Sequence, residues 1–278
     1  MEAQHTILKD TYALQNGVAI PRIGLGTWKI PNGEASKAVQ DAVAIGYRHI
    51  DTARAYDNEA GVGEGVRACG VPRERLFITS KIPAEVKDYD SAVQEIDASL
   101  KALGLETIDL MLIHSPQPWD QFGDAERFFV ENREVWRALE EAYEAGKLRA
   151  IGVSNFAQVD LDSLLETCSV RPMVNQIRVH ITQTPVDLIQ QSLSRGMLVE
   201  AYSPIAHGNL LENERVGAIA KRYGVSIPQL SIRYTLQLGL LALPKTANPQ
   251  HMVDNVDVDF FITDDDMQTL KDMPPVEN

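Results

Sequence analysis

An α/β fold of the (β/α)8 TIM-barrel type, one domain over residues 1–278 with an N-terminal β-hairpin, is what this sequence predicts, and three observations carry the prediction. Short apolar runs of strand length alternate eight times with amphipathic or Ala-rich stretches of helix length. The connections are short, and no linker or low-complexity segment divides the chain. The glycine-rich turn of an open dinucleotide-binding sheet is missing, because Gly24-Leu25-Gly26-Thr27-Trp28 lacks the third glycine and no helix follows at once.

The elements follow in order. Tyr12-Ala13-Leu14, Gln15-Asn16-Gly17 and Val18-Ala19-Ile20 read as a hairpin that plugs or flanks a larger body, with Asn-Gly supplying the positive φ angles of a tight turn. Strands are expected at Ile23–Gly26, Tyr47–Asp51, Phe77–Lys81, Leu110–His114, Ile151–Ser154, Val174–Ile177, Leu198–Tyr202 and Leu241–Pro244. Between them lie helices at Glu34–Ile45, Glu59–Ala68, Ser91–Leu103, Phe128–Ala145, Gln158–Thr167, Pro185–Ser194, Pro228–Gln237 and Pro249–Val256. Pro185 and Pro228 suit a first helical position, where the missing N–H was unpaired anyway, and Asn58 suits the cap before Glu59. Gly46, Gly104, Gly146 and Gly196 punctuate helix ends. A chain of 278 residues matches the roughly 250 of such a barrel.

Composition narrows the function classes. A net charge of -13 favours solubility and argues against general affinity for nucleic acid, whose phosphates recruit Lys and Arg. Cys69 and Cys168 are the only cysteines, in no paired motif or zinc spacing, and read as reduced thiols. Met1–Asp10 has no secretory pattern, and no stretch approaches the roughly 20 apolar residues of a membrane helix. A cytoplasmic, monomeric protein with no membrane partner is the expectation.

Barrels of this type place their chemistry at the C-terminal ends of the strands. The polar residues there are Asp51, Lys81, His114, Ser154-Asn155, Gln176 and Tyr202-Ser203, with Tyr56 just beyond Asp51. Singly, Asp51 reads as a turn residue, Lys81 as a solvated charge, His114 as a structural histidine and Tyr56 as packing under a loop. Four proton-exchanging groups brought to one mouth are hard to assign to independent structural roles. A buried ammonium at Lys81 would favour the phenolate of Tyr56 and lower its pKa, while Asp51 would keep that lysine charged. His114, as a neutral imidazole, would donate a hydrogen bond to a carbonyl oxygen.

With these residues in place, the chain resembles the aldo-keto reductases, in particular the shorter bacterial members of diketogluconate-reductase type. The resemblance spans nearly the whole length. It rests on Gly24-Leu25-Gly26-Thr27-Trp28, His49 to Glu59, Thr79-Ser80-Lys81, Leu112-Ile113-His114-Ser115-Pro116, Ile151-Gly152-Val153-Ser154-Asn155-Phe156, Val174-Asn175-Gln176, Tyr202-Ser203-Pro204 and Leu243-Pro244-Lys245-Thr246. It implies that Asp51, Tyr56, Lys81 and His114 form a catalytic tetrad, with hydride passing from a reduced nicotinamide to a small-molecule carbonyl while Tyr56 protonates the oxygen and no metal takes part. It implies also that Ser154, Asn155 and Gln176 hold the carboxamide and Tyr202 stacks on the nicotinamide ring. Gly26, Thr27, Trp28, Ser203 and Pro204 then flank the cofactor.

The adenosine end would meet Lys245, Thr246, His251, Asp254 and Asn255. His251 stands where the family places a phosphate-clamping arginine, and Asn248 adds no charge nearby, so NADPH binding with NADH use is expected. Ser115 replaces a tryptophan common after the catalytic histidine. Trp119 is the candidate to fold back beside Trp28 as a pocket wall. Only Asp264–Asn278 follows the barrel, as a short helix and a Pro-Pro tail, which implies an open pocket and a hydrophilic or broad substrate range. Two rival readings are a cofactor-binding redox-sensing subunit with little turnover and a metal-dependent barrel hydrolase or lyase. The second is disfavoured because, of six histidines, only His114 falls at a predicted strand end.

Overall fold

The computed structural model describes residues 5–275 of the chain. A two-stranded antiparallel hairpin, β1 (Thr11–Ala13) and β2 (Ala19–Pro21), precedes eight parallel strands. These are β3 (Leu25–Gly26), β4 (His49–Asp51), β5 (Phe77–Ile82), β6 (Leu110–Ile113), β7 (Ile151–Ser154), β8 (Val174–Arg178), β9 (Leu198–Tyr202) and β10 (Leu241–Leu243), hydrogen-bonded in chain order. The bridges Ile23↔Ala242 and Gly26↔Lys245 bring the first and last strands together, so the sheet closes on itself as the eightfold alternation predicted.

Helices α1 (Asn32–Ile45), α2 (Glu59–Ala68), α3 (Tyr89–Leu103), α4 (Phe129–Glu144), α5 (Gln158–Leu165) and α6 (Val186–Ser194) follow β3 to β8 in turn. The strand β9 is followed by two helices, α7 (Glu214–Arg222) and α8 (Ile227–Gln237), and β10 by α9 (Pro249–Val256) and α10 (Asp264–Lys271). The helices bury one stripe each: α1 sinks Ala35, Ala38, Val39, Ala42 and Val43, the spacing of an apolar helical face. Among the described residues no helix is long and apolar enough to cross a membrane.

Several local expectations are corrected. Helix α3 begins at Tyr89 rather than Ser91, because Asp88 caps it by accepting from the Ser91 N–H at 2.8 Å. Pro185 occupies the cap of α6 and Pro228 the second position of α8, whose start Ser226 and Gln229 fix through a reciprocal capping box. Asn58 stands at the start of α2 but does not cap it; its amide instead donates to Thr27 O and Ile30 O, both at 2.9 Å, and its oxygen accepts from Thr52 at 2.7 Å. That side chain ties the segment bearing Trp28 to the end of β4.

In the hairpin only Gly17 has a positive φ, +83°. Asn16 contributes its side chain instead, accepting from Val18 N–H at 3.1 Å and donating to Arg149 O at 2.9 Å. The hairpin thereby docks under the barrel. Its Leu14 and Ile20 pack on Phe77, Leu110, Val174, Leu198 and Leu241, the opening residues of five strands. The floor is therefore closed by apolar side chains, and the opposite end is left open.

Candidate active site

The C-terminal ends of the strands surround a cavity of about 990 Å³, at the upper end of the range of small-molecule sites. Period-two alternation in β4 and β5 turns Asp51 and Lys81 inward at this end, each two residues beyond an inward neighbour, His49 and Thr79, which bond each other at 2.9 Å.

Lys81 lies under the cavity with no exposed surface. Its ammonium donates to both carboxylate oxygens of Asp51, at 2.7 and 2.8 Å, to Thr52 O at 2.8 Å and to Tyr56 Oη at 3.4 Å. Burial pushes that ammonium towards losing its proton, and Asp51 followed by Tyr56 more than offsets this, so its pKa ends above the ordinary value. The ring of Tyr56 meets His114 edge-on at 5.6 Å. Burial first and Lys81 second hold His114 down at about 3, which keeps its imidazole neutral. Its Nδ1 is enclosed without a hydrogen-bond partner, while the residue lines the cavity.

For Tyr56 the expected sign is reversed. Burial raises the phenol above its ordinary value, and Lys81 opposes this only in part. The phenol is held protonated, with the cation ready beside it.

On the neighbouring strands the polar groups lock each other. Ser154 Oγ donates to Gln176 O at 2.9 Å, and Asn155 donates to His114 O at 3.0 Å while accepting from Tyr202 Oη at 2.8 Å. Asn155 and Ser203 both adopt positive φ, +61° and +53°, which turns the chain sharply at the ends of β7 and β9. At the far end, Lys245 and Thr246 leave β10 and the cap residue Asn248 starts α9, which brings His251, Asp254 and Asn255 to the cavity wall.

The profile of the Aldo/keto reductase family matches residues 22–273. The chain belongs to that family. It is 42% identical to the glyoxal reductase of Bacillus subtilis (strain 168) over 267 residues, covering 95% of this chain and 93% of the relative. It is 38% identical to the 9,11-endoperoxide prostaglandin H2 reductase of Trypanosoma cruzi (strain CL Brener), covering 94% and 90% of the two chains. Among solved structures, the Bombyx mori aldo-keto reductase in complex with NADP superposes with a TM-score of 0.84 at 34% identity, covering 94% and 92%. The protein is an oxidoreductase of this family.

In the reductase, the positions singled out from sequence converge on the one cavity with two exceptions. Lys81 sits beneath its floor, and Thr27 is buried behind it, donating to Asp51 O at 3.0 Å. Gly26, Trp28, Ser203 and Pro204 lie on the cavity wall. Trp119 folds back on a 3-10 turn, edge-on to His114 at 5.2 Å and tilted on Phe122 at 5.6 Å. Trp28 contacts His207 at 5.0 Å and carries the Lys29 ammonium 4.3 Å above its ring.

Sequence reasoning missed two buried acids that bond to residues of β5 and β8 next to Lys81 and Asp51. Glu59 accepts from Ser80, the chain neighbour of Lys81, at 2.6 Å. Glu200, in the middle of β9, accepts from Gln176 Nε2 at 2.6 Å, and that same nitrogen donates to Asp51 at 2.8 Å. Strand alternation carried the signal for Glu200, which stands two residues before the inward-turned Tyr202.

Proposed function

We propose that the reductase converts small aldehydes or ketones to alcohols with NADPH, and accepts NADH as well. The observation that carries this reading is the Tyr56 phenol, 3.4 Å from an ammonium locked to Asp51 and edge-on to a neutral imidazole, at the floor of the large cavity. The residues present fit a nicotinamide dinucleotide: an aromatic face at Tyr202, amides at Asn155 and Gln176, and a cation at Lys245 beside a helix N-terminus at the far end. When bound, the reduced nicotinamide supplies a hydride to the carbonyl carbon.

The chain's own groups do the rest. A neutral imidazole carries one proton, and at Nδ1 of His114 it would be buried without an acceptor, so Nε2 holds it and donates to the carbonyl oxygen. Negative charge growing on that oxygen makes it a stronger base than a phenolate, so Tyr56 gives up its proton although burial keeps the phenol weakly acidic. Lys81 stabilises the phenolate that remains, and Asp51 keeps Lys81 charged and in place. Solvent entering the open cavity returns the proton. Trp28 and Trp119 bracket the substrate.

The glyoxal reductase relative makes small dicarbonyls the first compounds to try. The test is initial-rate measurement with NADPH and with NADH over a panel of aldehydes and ketones. Turnover of at least one carbonyl is expected, and negligible rates on all of them would sink the reading. A preference for NADPH above roughly a thousandfold, about 4 kcal/mol, would remove NADH from it.

A further inference from the structure

Glu200 has no part in the reaction above, yet it is built into the tetrad. It is completely buried on β9, one carboxyl oxygen accepting from Gln176 Nε2 at 2.6 Å and the other, Oε1, enclosed with no hydrogen-bond partner. Gln176 Nε2 also donates to Asp51 Oδ2 at 2.8 Å. A primary amide has two N–H hydrogens, and these two acceptors use both. What Gln176 retains for the cavity is its oxygen, an acceptor.

We propose that Glu200 is a positioning residue that holds the Gln176 amide with its oxygen toward the cofactor, so that the site selects a pyridine carrying a hydrogen-bond-donating carboxamide. The inference rests on the nicotinamide reading above. Asp51 alone engages one hydrogen and leaves the amide free to swing about that bond, turning its second N–H into the cavity against the carboxamide's own NH2. Glu200 removes that freedom.

Its charge state serves the same end. The charged groups that act on it are Asp51 on β4 and Lys81 on β5, with the Gln176 amide of β8 bonded to it. Burial, followed by the charge of Asp51, raises Glu200 from 4.5 to about 8. As a neutral acid it keeps a proton on the enclosed oxygen and accepts through the other, and it adds no second anion beside the Asp51–Lys81 pair.

Trp28 and Trp119 line the cavity and report its occupation. The test is fluorescence titration of the cofactor-free protein with NADP+ and with its 3-acetylpyridine analogue, in which a methyl ketone replaces the carboxamide and no N–H remains. Wild type is expected to favour NADP+ by about tenfold, the worth of one buried hydrogen bond. Glu200→Leu should bring that ratio below about threefold, and Glu200→Gln, the isostere of the neutral acid, should restore it. A ratio unchanged in Glu200→Leu, or a wild type that binds both dinucleotides equally, overturns the inference. Binding of neither by wild type overturns the cofactor reading instead.

Glu200→Gln carries an independent test that does not need the leucine variant to fold. Between pH 4.5 and about 8 the unfolded chain releases the Glu200 proton and the folded one keeps it, so the contribution of this group to wild-type stability falls with rising pH. The glutamine variant escapes that fall. Its melting temperature should exceed the wild-type value by a margin that widens from pH 5 to pH 8, and a margin that stays constant overturns the neutral-acid assignment.

Discussion

The two ends of the barrel hold equally buried side chains of opposite kinds. At the floor, Leu14 and Ile20 of the hairpin pack on the first residues of five strands, and each such side chain contributes about 1.5–3 kcal/mol by leaving water. At the mouth, Lys81, Asp51, Gln176 and Glu200 are buried to the same degree but hold ionisable or polar groups. A buried ion pair is weak support for stability, since desolvation offsets most of its attraction. Residues from the same strands, two to four positions apart, therefore serve different ends. The floor stabilises the barrel, and the mouth spends stability on prepared charge and oriented donors.

The largest expected effect tests the mouth. Tyr56→Phe removes one hydroxyl whose partner, Lys81, keeps three other acceptors, so melting should shift by no more than a few degrees and cofactor affinity should stay. Turnover should fall by about 10²–10⁴-fold, the usual worth of a general acid. A variant near the wild-type rate would show that the proton comes from elsewhere.

Next in size is the converse at the floor. Ile20→Ala opens a cavity in the plug and should lower unfolding free energy by about 2–5 kcal/mol, with kcat at 25 °C changed less than about twofold. If kcat drops tenfold in folded protein, floor and mouth are mechanically coupled and the division is wrong.

Acid pH separates stability from activity inside the barrel. His49 and His114 are both pushed down to about 3 by burial and by Lys81. As pH falls below the unfolded value near 6.5, the unfolded chain takes up protons that the folded one refuses, so stability is lost on acidification. Each group contributes about 2 kcal/mol of loss by pH 5. Measured in Glu200→Gln, which lacks the opposing titration, melting temperature should fall from pH 7 to pH 5. Over that range kcat/KM should show no step with an apparent pKa of 6–7 from His114, and such a step would place a charge on its ring.

How much of this was legible in the sequence follows the same division. The parallel strands read as unbroken apolar runs because both faces are covered, and all eight were found within a few residues. The strand ends were legible because ionisable groups closed apolar runs. Helix α7 escaped, although Asn213 caps it, because one helix per strand was assumed and β9 is followed by two. Asn58 misled for a physical reason, since a residue able to cap a helix can equally staple a distant loop. Glu200 escaped because a single acid inside Leu198-Val199-Glu200-Ala201-Tyr202 has no local sign of its task. Only the three-dimensional approach of β4, β8 and β9 supplies its partners. The net sign at Tyr56 also needed the fold, because it depends on burial outweighing a cation whose presence the sequence had already indicated.

The smallest effect lies where the mouth becomes wet. His251 and Lys245 are exposed on the rim, so a charge added there is screened by solvent rather than amplified by burial. Imidazole offers neither the permanent charge nor the planar fork that arginine presents to a phosphate. His251→Arg should therefore raise the ratio of kcat/KM for NADPH over NADH by about tenfold, or 1.4 kcal/mol, through tighter NADPH binding with kcat unchanged. The gain should shrink as salt is raised, as an exposed charge pair requires. If the variant instead changes kcat with both cofactors alike, His251 acts on the dry part of the mouth, and the boundary between buried chemistry and solvated grip lies further out than α9.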